Sequence, residues 1–181
     1  MNHLNRVLKK SAKKIIRLFI SLVLIFTLGV TTSTAQQKIK VSGKHTLATI
    51  EQNAINVGDT DGHIISLGEF EGSNVSTGEK KFMDGALDVG MTFSDMVKGN
   101  GSHQGYGKMS LNGNVIIWKH QGKSVTTLSP EGMPVTTVEG TYTWINGSGK
   151  YENIKGSGTY KGTYISKTIV VLEWEGEYFI E

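Results

Sequence analysis

From Gln36 onward the chain alternates apolar and polar residues with period two, and no stretch sustains apolar residues at i, i+3, i+4 and i+7. Period two is the spacing of a strand with one face packed and the other wet or facing a cavity, so the pattern predicts an all-β domain. In ALDVGMTFS, Ala86 to Ser94, one face carries Leu87, Val89, Met91 and Phe93. The other carries Ala86, Asp88, Gly90, Thr92 and Ser94. The same reading places strands over Lys38 to Ile50, His63 to Glu71, Gln104 to Leu111, Val115 to Gln121, Pro134 to Ile145, Gly156 to Tyr164 and Thr168 to Ile180. With Ala86 to Ser94 these make eight strands, separated by turn signals at short intervals.

Two of these segments fix details. Leu111-Asn112-Gly113-Asn114 puts an Asn-Gly pair between alternating runs, the strongest short-range hairpin signal. In the last strand Glu173, Glu175 and Glu177 fall on one face and Val170, Leu172, Trp174 and Tyr178 on the other, so a slip of one residue would bury three carboxylates. Eight meandering strands with no helices to cover them are closed most economically as an antiparallel barrel, because closure removes the edges. An open two-sheet sandwich is the alternative.

The N-terminus changes the picture of where the chain goes. A basic stretch precedes the 13-residue apolar run Leu18 to Val30 and small polar residues ending Ser33-Thr34-Ala35. This predicts a helical secretory signal peptide over residues 1–35, cleaved after Ala35, and one barrel domain over 36–181. The run is shorter than the roughly 20 residues of a spanning helix, so no stable membrane span is expected after cleavage. A bacterial periplasmic or secreted destination follows.

Charge excludes one class of partner. Six of the nineteen Lys and Arg residues lie before Gln36 and all sixteen acids lie after it, so the remaining chain has a net charge of −3 and no arginine. Nucleic acid is therefore not an expected partner. The absence of cysteine removes disulfides, thiolate nucleophiles and lipid attachment at cysteine. The sequons at Asn74, Asn100 and Asn146 read as turn chemistry.

GSGKYENIKGSGTYKG, Gly147 to Gly162, looks at first like a phosphate loop. The Walker pattern fails because Tyr151 follows Lys150, and the dinucleotide pattern fails because Lys161 stands at the third glycine. Glycines alternating with Tyr160 and Tyr164 suit a strongly curved strand instead. The run GTYTWINGSGKYENIKGSGTYKG resembles the glycine-rich hairpin of the allene oxide cyclase-like barrels, a group that includes the plant dirigent proteins. VGDTDGH, Val57 to His63, and KGNGSHQGYG, Lys98 to Gly107, resemble motifs of exported bacterial proteins that share this barrel. The resemblance covers most of the chain after Ala35. It implies an eight-stranded antiparallel barrel, often oligomeric, with an apolar cavity that steers a reactive intermediate. It places no catalytic residue, because no segment matches the plant enzymes' active-site pattern.

Candidate chemistry is sparse. Asp59, Asp61 and His63 offer oxygen and nitrogen ligands, but the histidines are scattered singly, so no metal is assigned and no cofactor signature is present. His63 shares a face with Ile65, Leu67 and Glu69, as a general acid or base in an apolar interior would. The alternative makes that face the solvent side of a rim, with Ile64 and Phe70 inward. In KGNGSHQGYG, His103, Gln104 and Tyr106 could hydrogen-bond a ligand at the barrel mouth. Trp118 adds aromatic wall, although tryptophans more often fill a core. The expected function is binding of a small, largely apolar molecule, with isomerase or cyclase-like activity left open. The competing expectation is a non-catalytic, oligomerising envelope or matrix component. Small inward residues would favour the first, and Gly90, Gly105, Gly107 and Gly158 point that way; the tryptophans point to a filled interior.

Overall fold

The computed structural model describes residues 36–181; the expected signal peptide lies outside the described residues. Eight antiparallel strands follow one another in sequence order: β1 (Ile39–Asn56), β2 (His63–Ser76), β3 (Leu87–Val97), β4 (Asn100–Leu111), β5 (Asn114–Leu128), β6 (Pro134–Ser148), β7 (Ile154–Tyr164) and β8 (Ile169–Ile180). Each pairs with the next, and β8 pairs back with β1, from Ile39 opposite Tyr178 to Ala48 opposite Ile169. The sheet is thus a closed ring with no free edge, and the open-sandwich alternative does not apply. Among the described residues the only helical turn is a 3-10 turn, Gly149–Tyr151.

Local chemistry explains the connections. Asn112 and Gly113 both take positive φ, 49° and 79°, as a two-residue hairpin whose twist matches its strands requires. Several strands outrun their expected ends, β5 to Leu128, β1 to Asn56 and β2 to Ser76 most of all. A register shift between Thr49 and Glu51 lets β1 bend and continue.

Alternation sorts β8 as its sequence demands: Trp174 is buried while Glu173 and Glu175 are exposed. In β3 the sorting runs against hydrophobicity. Asp88 is fully buried, whereas Leu87, Met91 and Phe93 stand outside. The inner wall has no room for large residues there, since Phe70 lies over Gly90 and Asp88 meets His45.

The main core sits at one end of the ring. The connection 77–86 folds over that end and inserts Phe82 and Met83, both almost fully buried. Phe82 lies 5.0 to 5.9 Å, centroid to centroid, from the rings of Tyr178, Tyr151, Trp144 and Trp174. Asn74 ties this plug to the wall. Its Nδ2 donates to the carbonyls of Phe82 (3.0 Å) and Met83 (2.8 Å), and its Oδ1 accepts from Trp174 Nε1 (3.0 Å). Asn74 is therefore a buried strand residue and not the turn residue expected from its sequon.

The two Gly-Ser-Gly segments serve structure. Gly149 carries a φ of +64° in the 3-10 turn, and the Lys150 N–H donates to Asn114 Oδ1 at 3.0 Å. The second copy, Gly156 to Gly158, lies within β7.

Candidate functional site

Inward positions above the plug surround a cavity of about 140 Å³. Its wall is mostly aromatic and aliphatic, including Leu47, Phe70, Trp118, Val138, Tyr142 and Leu172. It is bounded toward the other end of the ring by polar side chains such as Gln52, Ser66, Ser94 and Ser124.

The inward glycines do not leave this space open. A methyl group added at Gly107 would fall on the Trp118 indole, one at Gly90 on Phe70, one at Gly105 on His120 and one at Gly158 on the Tyr142 phenol. Each bare position seats a ring borne by another strand, so the four glycines that suggested an empty interior are filled. The cavity is what remains between the seated rings.

His45, His103 and His120 all line it. His103 on β4 links two neighbours: Nδ1 lies 3.1 Å from Ser124 Oγ and Nε2 lies 2.6 Å from the Tyr160 hydroxyl. When Tyr160 donates to Nε2, Nδ1–H donates to Ser124; the other tautomer reverses both bonds, so the trio can pass a proton along its length. Gly122 and Gly140 make the arrangement possible, because a Cβ at either would meet the Tyr160 hydroxyl. His120 packs against Trp118 at 5.3 Å and approaches Thr92 Oγ1 at 3.3 Å.

Electrostatics keep this upper chamber neutral. Burial, with a contribution from His103, pushes His120 down to about 4, and burial lowers His103 as well. Burial raises the Tyr160 phenol. At neutral pH imidazole and phenol are uncharged, a setting that suits an apolar guest with one hydrogen-bonding group. Lower in the wall, His45 Nδ1 lies 2.8 Å from Asp88 Oδ2, close enough for an ion pair but poorly aligned for a hydrogen bond.

The six candidates from the sequence separate by strand face. His103 and Trp118 line the cavity together. Gln104 is exposed on the outside of β4, as is Tyr106 at 61% exposure, so the trio expected at the mouth is split by alternation. His63 stands on the rim outside the cavity, with Asp59 Oδ1 at 2.6 Å from Nδ1 and Asp95 Oδ1 at 2.9 Å from Nε2. Those carboxylates raise its pKa, and His63 in turn lowers that of Asp59. Asp61 pairs instead with Lys98 Nζ at 3.0 Å. Glu69 borders the cavity wall, but its place between inward Gly68 and Phe70 turns its carboxylate outward. The rim reading of His63 and Glu69 holds for Phe70, which is inward, but not for Ile64, which it also turned inward and which is 44% exposed.

Sequence reasoning gives Tyr160 and Ser124 no chemical role. The signal for Tyr160 is present in Gly158-Thr159-Tyr160-Lys161-Gly162, where it is the large inward residue between two bare ones. Nothing in the sequence pairs it with His103, 57 positions away. No protein-family model, curated protein or solved structure matches this chain.

Proposed function

We propose that this chain is an exported bacterial protein, periplasmic or secreted, whose ring is an allene oxide cyclase-like barrel. In this reading it binds a small, largely apolar molecule in its interior. Tyr160, oriented by His103 and Ser124, hydrogen-bonds one oxygen of the guest, and Trp118 and Phe70 contact its apolar body. The chemistry open to such a site is a proton shift within the guest, as an isomerase or cyclase would use: the Tyr160 phenol donates to that oxygen and takes back the proton the guest later releases, while the His103 Nε2–H hydrogen-bonds the transient phenolate.

The observation that carries this reading is the Ser124–His103–Tyr160 chain on the wall of a mostly apolar cavity of about 140 Å³. An engineered apolar cavity of about 150 Å³ takes benzene, so the space suits a single ring. A hydrogen bond to Tyr160 should add on the order of 1 kcal/mol, or about fivefold in affinity.

Ligand-observed NMR with toluene, phenol and 2-cyclohexenone is the direct test, with native mass spectrometry of protein from its own host beside it. Phenol and cyclohexenone should bind more tightly than toluene, and Tyr160→Phe should remove that preference while toluene binding persists. Failure of all three probes to bind, with a bare mass from the host, would sink the proposal in favour of a filled, structural barrel.

A further inference from the structure

The outer face of β2, β3 and β4 is unusual for a wall meant to meet water. Leu67, Leu87, Met91, Phe93 and Tyr106 are each 39 to 61% exposed there, and the strand register sets Leu67 beside Phe93 and Met91 beside Tyr106. This is the apolar face of β3 that the sequence made so clear.

The charges beside it are arranged in an order. One row across the strands reads Glu69, Met91, Tyr106, Lys119; the next reads Glu71, Val89, Lys108. The patch therefore has an acidic edge on β2, an apolar centre on β3 and β4, and a basic edge on β4 and β5. Among the described residues none of these four charged side chains has an ion-pair partner. Lys44 and Glu173, on the outer wall of β1 and β8, do pair, at 2.9 Å.

We propose that this face is a homodimer interface, in which a second copy of the chain docks face to face about a two-fold axis running parallel to β3 and β4. Rotation about that axis exchanges left and right across the strands. It lays the Glu69 and Glu71 edge of one copy on the Lys108 and Lys119 edge of the other, twice, while Met91, Phe93 and Tyr106 meet in the centre. An axis across the strands would set acid on acid, so the charge order selects the first. Such an interface is self-complementary, as a closed dimer requires, and leaves the interior cavity untouched.

The test uses the full chain expressed in an exporting bacterial host and weighed by sedimentation equilibrium. The wild type should have a dimer's mass, weakened by salt at its charged edges. Glu69→Lys with Glu71→Lys should give a monomer, and so should Lys108→Glu with Lys119→Glu. Mixing the two variants should restore a dimer, now mixed, because every acid edge again meets a basic one. Unchanged circular dichroism in each variant separates lost association from lost folding. A monomeric wild type, or a dimer indifferent to both charge reversals, would overturn the proposal; a mixture that stays monomeric would overturn the orientation and the proposal with it.

Discussion

Gly107 and Trp118 act as one unit: the indole occupies the space a side chain on the facing strand would need. Adding a methyl group at Gly107 forces that ring aside in a packed interior. Gly107→Ala should cost about 1–3 kcal/mol. Trp118→Leu should cost about as much by opening a void. The double variant should lose less than the sum of the two, which a thermal-melt cycle on all four proteins reads directly. Additive losses would show that ring and glycine are independent.

His120 makes a pH prediction at the same scale. Folding holds its pKa at about 4 against 6.5 for the free side chain. Between those values the unfolded chain binds the proton and the folded one does not, so stability present above pH 6.5 declines as the pH falls toward 4. The full effect of His120 is about 3 kcal/mol. His103 adds to it in the same direction. Urea titrations at pH 7 and pH 4.5 should show the decline, and His120→Gln should flatten it; an unchanged slope would place the acid sensitivity elsewhere. His63 has the opposite sign. Its raised pKa means that its pairing with Asp59 and Asp95 supports the fold below the ordinary histidine value and fades as the pH rises through the higher one.

At the scale of elements, the connection 77–86 behaves as part of the interior and not as a surface loop. Its hold on the wall is Asn74, whose amide satisfies two carbonyls and one indole N–H away from water. Asn74→Ala would leave those groups without partners and should cost about 2–4 kcal/mol. The loss should appear first as faster amide exchange at Trp174 Nε1 and around Phe82. A protected indole proton in the variant would argue against this anchor. This element is hard to read in the sequence: Phe82-Met83 sits in Glu79-Lys80-Lys81-Phe82-Met83-Asp84-Gly85, where no period exists and charge suggests a solvated turn.

The strands themselves are legible because period two needs no tertiary context. β8 and the Asn112-Gly113 turn follow from the pattern, and the split of His103 from Gln104 and Tyr106 follows from it too once alternation is applied strictly. What alternation does not supply is the sign. β3 shows two clean faces, and hydrophobicity alone would turn Leu87, Met91 and Phe93 inward. The choice is made by Phe70 over Gly90 and by His45 beside Asp88, contacts between strands that no local window contains. Tyr160 escapes for the same reason, since its partner His103 lies three strands away around the ring.

For the whole molecule, the seam between β1 and β8 carries a consequence for folding. Seven of the eight pairings join consecutive strands and can zip as hairpins, but the seam joins opposite ends of the domain; Gln36 Nε2 reaches the Ile180 carbonyl across 144 positions. Bringing such distant segments together has the largest entropy cost of any step, so this stitch comes late. Until it is sewn, the nascent sheet shows two naked borders, each able to recruit a neighbour. Crowded synthesis is therefore the moment of greatest hazard for this chain, and dilute, slow emergence its best protection.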